Sequence, residues 1–87
     1  MERTAVRSTA IRSIGYDPSS EILEIEWSSG RVYQYDEVPA TVYAWLMRVH
    51  KKGAFVTRLI NDRYAATDVT PHEEIDLLAA LRNSVSR

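Results

Sequence analysis

The chain has 87 residues, 45% of them hydrophobic, no cysteine and a formal net charge of -1. That suffices for one small core but leaves no room for a separate catalytic domain. It also excludes a disulfide framework and thiolate chemistry, and the near-neutral total singles out no class of charged partner. A small chain without covalent staples depends on packing, on a partner or on self-association. The opening MERTAVRSTAIRS carries charges where a leader needs an apolar run, and no stretch reaches the length of a membrane span. A soluble cytoplasmic protein is expected.

The first predicted strand runs from about Thr9 to Tyr16, with weak alternation. Asp17-Pro18-Ser19-Ser20 is a turn: Pro18 presets its own φ, and Asp17 can accept from the backbone two residues on. Glu21 to Trp27 is a clearer strand, with Leu23, Ile25 and Trp27 on one face and Glu24 and Glu26 on the other. Ser28-Ser29-Gly30 reads as a three-residue hairpin loop with Gly30 in the left-handed position. That loop pairs Ile25 with Tyr33 and Leu23 with Tyr35. A two-residue loop would turn both tyrosines to the acidic face, because a one-residue slip inverts every side chain.

Val38-Pro39 ends the third strand and starts a helix, with Pro39 in its first turn. Val42, Trp45, Leu46 and Val49 form a core-facing stripe at helical spacing. Arg48, His50, Lys51 and Lys52 crowd the end of this helix, where positive charge suits the dipole, and Gly53 fits its C′ position. A second helical segment, Ala54 to Tyr64, presents Phe55, Val56, Leu59, Ile60 and Tyr64. A last helix is predicted from Pro71 to Val85, capped by Thr70, with Glu73 closing a capping box. Its apolar face, Ile75, Leu78 and Leu81, must dock on its own sheet or on another molecule. The expected class is α+β: a three-stranded antiparallel β-meander packed against helices, with an additional C-terminal helix. Residues 1–69 form the main body, and residues 70–87 complete the same single domain.

Charge is unevenly spread along the chain. Asp17, Glu21, Glu24, Glu26, Asp36 and Glu37 face a single Arg31 in the hairpin region, while Arg48, Lys51, Lys52, Arg58 and Arg63 face a single Asp62 in the helical region. Such patches can steer partners even at zero net charge, although solvated surface explains them better.

The ordered pattern S-x-x-I-x-x-I-G-Y-D-P, L-x-I-x-W-x-x-G-x-x-Y-x-Y-x-x-V-P and G-x-F-V-x-x-x-I-x-x-x-Y, from Ser8 to Tyr64, resembles the KTSC domain. That domain is named for its place at the C-terminus of some lysyl-tRNA synthetases and also occurs as short stand-alone bacterial and phage proteins. The resemblance implies structural roles for Gly30, Tyr33, Tyr35, Pro39, Gly53, Phe55 and Tyr64. It implies a fold and little about activity, and it suggests RNA contact by association alone. Family members usually carry a small residue near the position of His50, so the basic His50-Lys51-Lys52 run is particular to this chain.

No catalytic constellation emerges. His50 and His72 each have a local explanation at a helix end, no metal-ligand spacing is present, and the serines lack a placed base. Glu24 and Glu26 share a strand face, which solvated charge explains better than catalysis. No catalysis, metal, cofactor or small-molecule substrate is expected. The leading expectation is a binding module, either a protein-binding adaptor or a self-associating domain, for instance a phage-type inhibitor of a host protein. Trp27, Tyr43, Met47, Leu78 and Leu81 are its contact candidates. The alternative is an RNA- or tRNA-binding accessory domain using Arg48, Lys51, Lys52, Arg58 and Arg63 on the helical side. Base stacking by Tyr33 and Tyr35 competes with a core role for both rings.

Overall fold

The computed structural model describes residues 1–71. Within them the chain forms strands β1 (Thr4–Ala5), β2 (Ile11–Asp17), β3 (Ile22–Trp27) and β4 (Val32–Tyr35), then helices α1 (Ala40–Arg48) and α2 (Lys52–Phe55). A π-helical turn, Val56–Ile60, continues α2, and strand β5 is Ala66–Asp68. The strands make one antiparallel sheet in the order β1-β2-β3-β4-β5. The α+β class holds, but the sheet has five strands instead of the expected three. Both additions are short edge strands, exposed at every position. Strands without a buried face leave no alternation to read. The expected helix Pro71–Val85, with Leu78 and Leu81, lies outside the described residues.

The weak alternation of the first strand has a structural cause. Ile11 pairs with Trp27 and Ser13 with Glu26, so β2 bulges between Ile11 and Ser13. The extra residue lets Ile11 and Ile14, three apart, both enter the core, where they are 0% and 1% exposed. Beyond the bulge, Ile14 pairs with Ile25 and Tyr16 with Leu23. The Asp17 carboxylate accepts from the Ser19 amide at 3.0 Å and from its hydroxyl at 2.7 Å. The Ser19 hydroxyl is the main cause holding the Asp17 carboxyl below its ordinary value.

The second hairpin has the expected register: Ile25 pairs with Tyr33 and Leu23 with Tyr35. The Trp27 amide donates to the Arg31 carbonyl at 2.8 Å, and Gly30 takes φ 96°. Only glycine adopts that conformation without strain. The core is Ile11, Ile14, Leu23, Ile25 and Tyr35 from the sheet, with Val38, Leu46, Val56 and Ile60 from the layer above. Burying each of the aliphatic side chains contributes roughly 1.5–3 kcal/mol. Tyr35 belongs to this core, and Tyr33 packs against it, half-buried.

The helical layer departs from expectation in four places. The first helix ends at Arg48, and Val49 is extended at φ -74° and ψ 150°, so the helix stops short of Lys52. Trp45, expected on the core stripe, is 60% exposed, whereas Leu46 is fully buried. Gly53 lies inside α2 and does not serve as a C′ residue. Its need is spatial, because a Cβ there would stand 2.6 Å from the Cβ of Ala10. Pro39 stands at the N-cap of α1, one residue ahead of the helix.

Candidate functional site

The five basic candidates do not form one face. Lys52 is 8% exposed, and its ammonium donates to the carbonyls of Leu46, Met47 and Val49 at 3.1, 3.0 and 2.7 Å. These carbonyls belong to the end of α1 or immediately follow it, where backbone acceptors lack helical donors. The lysine turns back over the helix end and caps it, so it is not a phosphate contact. Arg48 lies over the Trp45 ring, 5.9 Å from its centroid, in reach of a cation–π contact. Arg63 lines an apolar groove, Lys51 lines a separate cleft, and Arg58 is exposed on the π-helical turn.

Of the protein-contact candidates, Tyr43 stacks on Tyr16 with centroids 4.6 Å apart and planes within 8°. The Tyr16 hydroxyl donates to the Val38 carbonyl at 2.6 Å, so the pair ties α1 to β2. Met47 and Trp27 are half-buried against the core. The Trp27 indole nitrogen is buried and has no hydrogen-bond partner among the described residues. These three side chains support the fold more than they present a surface.

The apolar surface instead includes Trp45, which the helical stripe had placed inside. Between α1 and the π-helical turn, Val42, Trp45, Phe55, Leu59, Arg63 and Tyr64 line a groove of about 310 Å³. Trp45 is 60% and Leu59 43% exposed. Phe55 and Tyr64 are half-buried and form its floor with Val42. Helical spacing gave no signal for this exposure of Trp45, since it places Trp45 and Leu46 on one stripe. Arg48 and Arg63 flank this apolar surface with positive charge.

The opposite face of the sheet is polar and partly closed by the N-terminal arm. Arg3 donates to the Ser13 hydroxyl at 3.0 Å and forms a 2.5 Å ion pair with Glu24. Gln34 donates to Glu24 at 2.8 Å, and the Ser13 hydroxyl donates to Glu26 at 2.7 Å. Glu24 is thereby 6% exposed, correcting the reading of Glu24 as a solvated charge. Gly15 lies within β2. A Cβ at Gly15 would meet the Glu2 carbonyl oxygen at 2.6 Å, so the missing side chain is what lets the arm lie down. A carboxylate held by a guanidinium and an amide is satisfied structurally. No three His, Asp or Glu side chains converge on a metal site among the described residues. No helix among them is long and apolar enough to cross a membrane.

Comparison with known proteins places this arrangement. The KTSC domain model matches residues 7–64. A protein of Stutzerimonas stutzeri is 38% identical over 64 residues, covering 74% of this chain and 90% of its own. One from Tsukamurella paurometabola is 38% identical over 61 residues, covering 70% and 91%. A lysine–tRNA ligase of Nostoc is 32% identical over 54 residues, which are 62% of this chain and only 10% of the ligase. The crystal structure of a KTSC domain protein from Yersinia pestis superposes with a TM-score of 0.75 at 34% identity, covering 78% of this chain and 96% of that one. The ordered strand, turn and helix residues from Ser8 to Tyr64, together with these matches, make the chain a member of the KTSC domain family.

Proposed function

We propose that the protein is a non-catalytic protein-binding module whose helical-layer groove receives an apolar segment carrying acidic residues. The observation that carries this reading is the exposure of Trp45 and Leu59 above a floor of Val42, Phe55 and Tyr64. Water-exposed aromatic and aliphatic side chains beside a concave apolar floor gain most by being covered. Arg48 and Arg63 at its margin favour acidic groups on whatever covers it. The 5.9 Å placement of Arg48 over the Trp45 ring holds the indole in position before a partner arrives.

Site-specific photocrosslinking tests the proposal. A benzophenone side chain at Leu59 is expected to give a discrete adduct in cells, mapped by mass spectrometry to an acidic apolar segment. The adduct disappears in the Trp45→Ala background and weakens when Arg63 is replaced by Glu. A benzophenone at Thr67, on the exposed edge strand, serves as the control. Equal labelling from both positions, or an adduct indifferent to Trp45 and Arg63, refutes the groove. The mapped sequence also decides whether the occupant is a second copy of this chain or a different protein.

A further inference from the structure

A second concavity, sharing no lining residue with the groove, lies where the segment ahead of β2 meets the turn between α1 and α2. It encloses about 700 Å³, with residues 7–10 on one wall and residues 50–54 on the other. Arg7, His50 and Lys51 are its exposed charged or imidazole side chains, and no carboxylate lines it. The remaining lysine, Lys52, has its ammonium spent on three backbone carbonyls. The capping role of Lys52 therefore removes one cation from the set suggested by the sequence. The topology adds Arg7 from the other end of the chain.

Both walls are fixed before any ligand binds. The Ser8 hydroxyl accepts from the amides of Ala10 and Ile11, each at 3.2 Å. The Ala10 carbonyl accepts from the Ser28 amide at 2.8 Å. Gly53 packs so closely on Ala10 that its missing Cβ is a condition of the contact. Arg7 and the His50–Lys51 pair are thus carried on backbone whose separation the fold sets.

We infer that this cleft binds the phosphate backbone of a nucleic acid. The three side chains are exposed to water, so a single free anion would gain little from any one of them. A chain of phosphates engages all three and gains further from counterion release. No Phe, Tyr or Trp ring lines the cleft, and the ammonium of its buried Lys52 is already spent on backbone carbonyls, which leaves base-edge readout without a structural basis there and base stacking to the His50 imidazole alone. Binding is accordingly indifferent to sequence, weak at physiological salt and steeply salt-dependent.

Fluorescence anisotropy with a labelled oligodeoxythymidine, titrated with the full chain at several salt concentrations, tests the inference. Saturable binding is expected at low salt. The logarithmic salt slope should be near about -1.4, as roughly 0.7 per neutralised phosphate and the two cations Arg7 and Lys51 require. The Arg7→Glu/Lys51→Glu double variant should lose about tenfold or more in affinity, while Arg48→Glu/Arg63→Glu, at the groove, should lose distinctly less at the higher salt concentrations, where charges outside the cleft are screened. All four side chains are exposed, and circular dichroism melts check that both variants remain folded. Amide shift changes in NMR should concentrate at residues 8–10 and 50–54. Absence of binding at low salt overturns the inference. So does equal weakening in the two double variants, which would reveal diffuse charge in place of a site.

Discussion

The ammonium nitrogen of Lys52 lies 2.7 Å from the carbonyl oxygen of Val49, the residue at which α1 has already given way to extended chain. With Leu46 and Met47 it completes a three-acceptor cap built from a side chain that follows the helix. Lys52→Met keeps the aliphatic stem and removes the donors, leaving carbonyls short of partners. A loss of roughly 1–3 kcal/mol is expected in urea unfolding. The same change at exposed Lys51 should stay within about 0.5 kcal/mol. Equal effects at the two positions would falsify the capping role.

Gly53 and Ala10 form a second test by packing alone. Alanine is the better helix former by about 1 kcal/mol, so propensity by itself favours Gly53→Ala. The 2.6 Å approach of its Cβ to Ala10 reverses the sign, because overpacking costs about 1–3 kcal/mol. Gly53→Ala should therefore destabilise the wild type. Among the described residues outside its own helix, Ala10 Cβ is the only atom within 4 Å of the new methyl, so the same change should be neutral or stabilising in an Ala10→Gly background. A double-mutant cycle by thermal unfolding measures this coupling.

Alkaline pH should expose the cost of burying Tyr35. Burial, with a smaller contribution from Tyr33, pushes its phenol from 10.0 up to about 12, and its hydroxyl donates to the Asn61 side-chain carbonyl at 2.6 Å. Between those values the unfolded chain has released the proton that the folded chain still holds. Stability therefore falls as pH rises from about 10 to 12, by on the order of 2 kcal/mol. In Tyr35→Phe, the baseline is lower by about 1 kcal/mol for the lost hydrogen bond, and the fall across this window is shallower. Denaturant midpoints measured at pH 8, 10 and 11 provide the comparison.

The N-terminal arm depends on Gly15 in a way that hydrogen exchange can read. Gly15→Ala directs a methyl at the Glu2 carbonyl oxygen 2.6 Å away. The arm, not the central strand, is expected to yield, since β1 is only two residues long. Amides of Thr4 and Ala5 should then lose protection while those of Leu23 and Ile25 keep theirs. Loss of protection throughout β3 would show instead that the arm is integral to the core.

At Trp45 stability and binding should separate. The indole is 60% exposed, so Trp45→Ala should change unfolding free energy by no more than about 0.5 kcal/mol, while removing the crosslink from Leu59. A large destabilisation would assign the ring to the core and leave the groove without its anchor.

Local chemistry alone determined the hairpin register, the Asp17 turn, the left-handed Gly30 and the residues of the central strands. Each follows from period-two alternation or from a turn with a preferred backbone, both of which act over a few neighbouring residues. The edge strands were not legible, because Thr4–Ala5 and Ala66–Asp68 are exposed on both faces and owe their existence to backbone partners distant in sequence. Nor was the fate of the basic run. His50, Lys51 and Lys52 are adjacent and chemically alike, yet only Lys52 meets three carbonyls, because the chain reverses where α1 ends. Whether a side chain is a cap, a core member or a surface group depends on what the fold brings opposite it. Tertiary structure therefore turned Trp45 outward, sank Glu24 beneath Arg3, and set Arg7 across a cleft from Lys51.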